Sequence, residues 1–314
     1  MSVRVVGEHD VHRLLPMDEC IEAMAEVLAE LARGGLHNPL RFVVRPPDAG
    51  TLMGLMPAYR GSGEQTYSLK TVVIAPDNPK RGLDAHQGFV ALFDGTTGQT
   101  RALVNASAIT AIRTAAVSAV ATRALAREGS TTVAILGAGV QGKSHLDAMR
   151  ALGYESIVGW SRSAQLDGVE HAGSVEEALR DADVVVTATT AREPIVQREW
   201  LKAGAHVNAV GSSIPTTREL DTATMAAAAL FVDRRESTLN ESGDYLFAVQ
   251  DGAIGPDHIR AELGDVLAGQ AEGRRDGDEL TVFKSLGIAV EDLAAAQLVA
   301  RKAEAEDVGA LVDL

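Results

Sequence analysis

Residues 133–142 read VAILGAGVQG, and this stretch decides the fold. Four apolar residues, Val133 to Leu136, run straight into Gly137, Gly139 and Gly142, spaced as G-x-G-x-x-G. A continuous apolar run of this length is the pattern of a strand buried on both faces. KSHLDAMRAL (143–152) follows with apolar residues at helical spacing. Strand, glycine turn and helix in that order make a seat for a pyrophosphate. The turn is tight, the backbone can approach the anion closely, and the amides at the helix start face it. Gly137, Ala138, Gly139, Val140, Gln141 and Gly142 are therefore expected to line a dinucleotide. Alone, the glycines could mark an ordinary α/β turn; the strand before and the helix after weigh against that.

Reading outward, SIVGWS (156–161), DVVVTAT (183–189), HVNAVGS (206–212) and AALFVD (228–233) repeat the buried-strand pattern, and SVEEALRD (174–181) supplies another helix. Strands alternating with helices imply a parallel sheet with right-handed crossovers, here a Rossmann-type doubly wound α/β domain. In such a unit a carboxylate usually closes the second strand, about 20 residues after the glycines, and grips the ribose 2′-hydroxyl of NAD. That place holds Ser161, Arg162 and Ser163. A carboxylate would repel a 2′-phosphate, whereas a hydroxyl and a guanidinium would bind it through charge-assisted hydrogen bonds. The expected cofactor is NADPH, with NAD possible; the plainer reading of Arg162 is an exposed loop arginine.

The region before the glycines has a different grammar. MDECIEAMAEVLAELAR (17–33) is an amphipathic helix ended by Gly34-Gly35. RFVVR (41–45), TLMGLMPAY (51–59), YSLKTVVIA (67–75), GFVALFD (88–94) and TRALVN (100–105) are short strands, with DGTTGQ (94–99) as a hairpin loop. No helix interrupts them, so a mostly antiparallel sheet is expected. NASAITAIRTAAVSAVATRALA (105–126) reads as a buried helix of a soluble fold, being rich in small residues and interrupted by Arg113. FKSLGIAVEDLAAAQLVARKAEAE (283–306) reads as a final helix returning to the first domain. The expected organisation is a mostly antiparallel α+β domain over 1–128, completed by 284–314, and a Rossmann domain over 129–283.

Composition narrows the function. The chain has 314 residues, 46% apolar, with a net charge of −14, which argues against a nucleic-acid surface. Cys20 is the single cysteine, so no disulfide forms within the chain and a reducing cytoplasm is expected. MSVRVVGEHD carries charge where a signal peptide would be apolar, and no membrane association is expected. His145, His171 and His206 lack metal-ligand spacing, so no metal is expected.

Arg113 is the only charged residue between Arg101 and Arg123, and a buried guanidinium needs an anionic partner, either a structural carboxylate or that of a ligand. Lys70, within YSLKTVVIA, reads either as an edge-strand lysine or as a site residue. Arg41 opens RFVVR. His86, in DAHQG, would touch substrate or be satisfied by backbone.

These residues sit in motifs that resemble the ornithine cyclodeaminase/μ-crystallin family: RFVVR, LMPAY, YSLKTVVIAPDN, GLDAHQGFVALFD, ASAITAIRTAAVSAVATRALA, ILGAGVQG, HVNAVGS, REL and TVFKSLGIAVED. The resemblance spans nearly the whole chain. It implies a homodimer, a first domain that serves in substrate binding and dimerisation, and Arg41, Lys70 and Arg113 converging on the carboxylate of an amino or imino acid, with His86 beside them. It also implies that Thr114, Thr187, Thr189 and Gly287 line the cofactor, and that Lys284 lies near the nicotinamide. The family's cyclodeaminases have an aspartate shortly after the N-A-V-G strand as acid/base; NAVGSSIPTTREL (208–220) has Ser213 there, a poor proton acceptor near neutral pH. They also carry an acid at the end of the second strand, which this chain lacks. Both departures favour reduction of an imine over oxidation of an amine. The expected activity is NADPH-dependent reduction of a small imino acid, such as pyrroline- or piperideine-2-carboxylate, or the equivalent amino-acid dehydrogenase reaction. Lys70 is the expected proton donor. The alternatives are ornithine cyclodeaminase and a non-catalytic NADPH-binding protein.

Overall fold

The computed structural model describes residues 2–313, which form two compact units: 2–113 with 288–313, and Thr114–Gly287. The first unit opens with β1 (Ser2–Val6), α1 (Glu8–Leu14) and α2 (Met17–Ala32), followed by β2 (Leu36–His37) and β3 (Phe42–Val44). Then come β4 (Leu52–Arg60), β5 (Thr66–Ile74), β6 (His86–Asp94), β7 (Thr100–Asn105) and helix α3 (Ala106–Leu125). The second unit runs β8 (Thr132–Leu136), α4 (Val140–Ala151), β9 (Ser156–Trp160), β10 (Glu170–His171), α5 (Val175–Leu179), β11 (Val184–Thr187), β12 (His206–Ala209) and α6 (Thr222–Ala227). It continues with β13 (Ala229–Val232), α7 (Arg235–Glu241), α8 (Gly243–Gln250), β14 (Ile259–Glu262), α9 (Leu263–Leu267) and β15 (Thr281–Lys284). The chain then adds α10 (Ala289–Ala305) and β16 (Ala310–Asp313) to the first unit.

The first unit's sheet has the order β16-β1-β7-β6-β5-β4-β2, with β3 also paired to β4. From β4 to β7 the neighbours are antiparallel hairpins in near-unbroken register. The β6–β7 hairpin turns on Asp94, whose carboxylate accepts the amides of Thr96 and Thr97. On β5 the residues facing inward are Thr66, Ser68, Lys70 and Val72, as a strand's period of two requires. Helix α10 packs across β4, β5, β6 and β7 and against α2, which closes the core over those positions.

The second unit is an eight-stranded sheet in the order β10-β9-β8-β11-β12-β15-β13-β14, parallel at every pairing. From β8 the chain winds outward to β9 and β10, then crosses back to begin again at β11. The reversal between β8 and β11 is the topological switch point where an open α/β sheet binds its ligand.

Three expectations need correction. The division between units falls inside α3, at Arg113/Thr114, not after the helix at residue 128. The last helix starts at Ala289, not 283: Phe283 and Lys284 end a strand laid between β12 and β13, and Gly287, at φ +72°, turns the chain before the helix can begin. β1, β2, β10, β14 and β16 lay outside the expected strands, β2 and β10 being two residues long and β16 exposed along its length. Helix α3 is long and apolar enough to cross a membrane by length and composition, yet 83% of its most apolar window is buried inside the fold.

Candidate functional site

The second unit builds its seat at the end of β8. Gly137 has φ +120°, and a Cβ there would stand 2.3 Å from the Ala188 carbonyl oxygen; a Cβ on Gly142 would stand 2.0 Å from that of Gly137. Neither position tolerates a side chain. Gly139, which caps the N-terminus of α4, has nothing within 4 Å of where its Cβ would be. The two outer glycines are thus required by close packing and the middle one by open approach, and the first amides of α4 have no acceptor within the helix. These residues fit a pyrophosphate.

Leu136 pairs with Trp160, and the Gly137 amide donates to the Trp160 carbonyl at 2.8 Å. Ser161 and Arg162 therefore emerge abreast of the glycine turn, Arg162 exposed. Thr187 and Thr189 are tied elsewhere. Glu219, fully buried, accepts the Thr187 hydroxyl (2.7 Å), the Thr189 amide (2.8 Å) and hydroxyl (2.7 Å), and the Gly211 amide (2.7 Å). These threonines shape the crest of the sheet with hydroxyls already committed to Glu219. Burial raises the Glu219 pKa, opposed by the Lys284 ammonium. Lys284 is itself fully buried, 3.0 Å from Asp244 Oδ2 and donating to the Ala209 carbonyl at 3.1 Å, so it serves as an internal counter-charge to the two acids. The amides of Leu286 and Gly287 both donate to Asp233 Oδ2 at 2.6 Å. Thr114 is buried within α3, and Ser213 lies exposed in the loop after β12. Glu219, in the REL motif, and Asp233, closing the strand run AALFVD, were given no role from sequence, and Asp244, among polar residues, read as surface.

The first unit gathers charge. Lys70 is on a central strand, paired to Met56 on one side and Val90 on the other, so the edge-strand reading is excluded. Its ammonium, 4% exposed, donates to Asp292 at 3.0 Å (Oδ1) and 2.9 Å (Oδ2) and to Thr110 Oγ1 at 3.2 Å. Arg113, also 4% exposed, donates from Nε to Asp292 Oδ1 at 3.0 Å and from Nη1 to Glu291 Oε2 at 2.6 Å. The two cations do meet on Asp292, which with Glu291 comes from the first turn of α10, so the buried Arg113 has structural carboxylates for partners. Glu291 and Asp292 were missed because a helix read from 283 puts both acids in its middle, where charged residues pass for a solvated face.

Burial pushes the Lys70 pKa down to about 8, with Asp292 resisting and Arg113 and Arg41 adding to the fall. Burial alone would raise the Asp292 carboxyl; Arg113 and Lys70 outweigh it and hold it below the usual range. The His86 pKa is lowered by burial, then by the charge of Lys70 and Arg113. Arg41, Lys70, His86 and Arg113 therefore share one electrostatic neighbourhood. Its lysine can exchange a proton close to neutrality, as an acid or base must.

The chain matches the model of the "Ornithine cyclodeaminase/mu-crystallin family" over residues 2–307. It is 42% identical over 276 residues to the mouse "Ketimine reductase mu-crystallin", covering 85% of each chain. The structure of the Thermococcus litoralis Delta(1)-pyrroline-2-carboxylate reductase in complex with NADH and L-proline is similar at TM-score 0.93 and 35% identity, covering 99% of this chain and 100% of that one. An archaeal alanine dehydrogenase dimer with bound NAD is similar at TM-score 0.93 and 29% identity, covering 100% of both chains. With the glycine turn, the all-parallel sheet and a match of this length, the chain belongs to the ornithine cyclodeaminase/mu-crystallin family.

Proposed function

We propose that this protein is an NAD(P)-dependent oxidoreductase that reduces a small imino acid to the corresponding amino acid. The observation that carries the reading is the convergence of Lys70 and Arg113 on one buried point, with Arg41 and His86 in the same electrostatic field. Such a cluster suits a small acid, because an arginine fork fixes a carboxylate in orientation as well as in place. The relatives named above as ketimine reductase and pyrroline-2-carboxylate reductase support the substrate class, and cyclic ketimine acids are its leading members.

Each catalytic task has a residue. Gly137, Gly139, Gly142 and the first turn of α4 hold the dinucleotide, which supplies the hydride. Arg41 would orient the substrate carboxylate, and so the imine carbon that receives the hydride, beside an Arg113 that Glu291 and Asp292 already hold in place. Lys70 gives a proton to the imine nitrogen, and a pKa near 8 lets it do so without leaving the ammonium too stable to react. NADPH is the proposed cofactor, on Ser161 and Arg162; relatives with bound NADH and NAD keep NAD as the alternative. We also propose a homodimer in a reducing cytoplasm, where the buried thiol of Cys20 stays free.

The test is a screen of pyrroline-2-carboxylate, piperideine-2-carboxylate and keto acid–amine pairs for loss of reduced-cofactor absorbance, with ornithine as control. Oxidation of NADPH by a ketimine acid, abolished by Lys70→Met without loss of NADPH binding, is the expected result. Ammonia released from ornithine without net cofactor change would replace this reading with the cyclodeaminase. NADPH binding without turnover of any of these compounds would replace it with a binding role.

A further inference from the structure

We propose that Asp292 is a positioning residue for the proton donor: it fixes the Lys70 ammonium and the Arg113 guanidinium on a single carboxylate and keeps Lys70 charged inside the core. The inference rests on the reading of Lys70 as the acid in imine reduction. Asp292 touches Lys70 with both oxygens, at 2.9 and 3.0 Å, and touches Arg113 Nε with one of them, at 3.0 Å. At 1% exposure it shares these contacts with little solvent. A lysine in the middle of a sheet, under a helix, loses most of its hydration, and desolvation drives it toward the neutral amine. Neutral Lys70 could neither attract a carboxylate nor give up a proton.

The other charged groups around Lys70 do not supply what Asp292 supplies. From α3 comes Arg113, and from the segment before β3 comes Arg41, both of which disfavour a second cation. His86, at the start of β6, has its pKa lowered by burial and by these cations. From α2 comes Cys20, near Arg113 and Glu291, whose thiol burial pushes up to about 12, so it carries no charge. Glu291, beside Asp292 on α10, directs its carboxylate to Arg113 and to the Ile288 amide (3.3 Å). Direct carboxylate contact with Lys70 is supplied by Asp292. The placement follows from the fold: Gly287 turns the chain, Ile288 precedes the first helical residue, and the first turn of α10 then projects Asp292 at β5. The C-terminal segment thus sets the charge of a residue more than two hundred positions earlier.

Nitrogen-detected NMR of protein labelled at lysine, with the Lys70 signal assigned through Lys70→Arg, reads this directly and without substrate. In the native chain the Lys70 midpoint should lie near 8. In Asp292→Asn, which keeps the volume and removes the charge, it should fall by about one to three pH units, the usual effect of one opposite charge at this range. The alkaline limb of kcat/KM should fall with it, while NADPH affinity holds. An unchanged midpoint in that variant overturns the proposal. Should Asp292→Asn fail to fold, the carboxyl carbon of Asp292 in the native chain serves instead: it should shift through the Lys70 midpoint, and a flat resonance there overturns the proposal. If no imino acid is reduced, the functional reading fails, but the two titrations still decide what Asp292 does.

Discussion

Arg162 is the side chain on which the proposed choice of NADPH over NADH rests. It stands exposed at the end of β9, two residues past the strand position that pairs with Leu136, where a carboxylate would serve NAD. A guanidinium there gains nothing from a ribose hydroxyl that a neutral donor could not supply, but it gains a charge-assisted pair from a 2′-phosphate. Hydrogen bonds to charged groups contribute about 1.5–3 kcal/mol. Arg162→Ala should therefore raise the KM for NADPH roughly 10- to 100-fold and leave that for NADH nearly unchanged. Initial rates with both cofactors over a range of concentrations measure the ratio. A native enzyme that already prefers NADH, or a variant whose two KM values rise together, would remove Arg162 from cofactor choice.

At the scale of elements, α4 is coupled to α3 within the second unit by one neutral histidine. His145 is fully buried; Nδ1 lies 2.7 Å from the Gln141 carbonyl and Nε2 2.9 Å from the Ser118 hydroxyl. A carbonyl can only accept, so Nδ1 carries the proton and Nε2 accepts from Ser118. Burial lowers the His145 pKa to about 4, and burial with the Arg274 charge lowers that of His206 to about 3. Both lie below the unfolded value near 6.5, so the unfolded chain binds more protons below that pH. Their stabilisation is complete above about pH 6.5 and is lost as pH falls toward 4 and 3. Each contributes a slope of about 1.4 kcal/mol per pH unit inside its window. Urea denaturation at several pH values between 6.5 and 4.5 should show His145→Gln less stable at neutral pH but shallower in slope by about one proton. An equal slope would mean that the imidazole is charged in the fold. Little of this was legible in sequence, where His145 was one of eight histidines and had no metal-ligand spacing to mark it. The elements themselves were legible where a strand is buried on both faces or a hairpin repeats: β4 to β9, β11 to β13, and α3. The same pattern hid β15, because TVFK runs without a turn residue into SLG and its neighbours in the sheet are far away in the chain. It disclosed Lys70 and Arg113 as charges out of place, yet not Asp292 and Glu291, whose charge is ordinary on a helix and unusual only for being buried.

On the scale of the whole molecule, the outer face of the first unit's sheet is left apolar. Phe42 on β3 is 63% exposed, Tyr67 on β5 52%, Phe89 on β6 42% and Met53 on β4 37%. Register aligns Phe42, Leu55, Thr71 and Phe89 in one row across four neighbouring strands, and Val44, opposite Met53 on the same face, extends the patch at 42% exposure. A sheet with one wetted face normally alternates polar residues outward, and a contiguous apolar patch marks an interface. A second copy of the same chain is the proposed cover, since a two-fold axis sets the same patch against itself and a related alanine dehydrogenase is a dimer. The pairing would bury β3, an all-exposed strand of three residues held by β4 alone, and with it would steady the adjoining Arg41. Phe42→Asp places a charge in the patch without touching the core. It should convert a dimer to a monomer at micromolar concentration in sedimentation equilibrium, and should lower affinity for the acid substrate while NADPH binding to the second unit stays intact. A native chain that sediments as a monomer under the same conditions would show that this face meets something else, and Arg41 would then have to be ordered by the single chain.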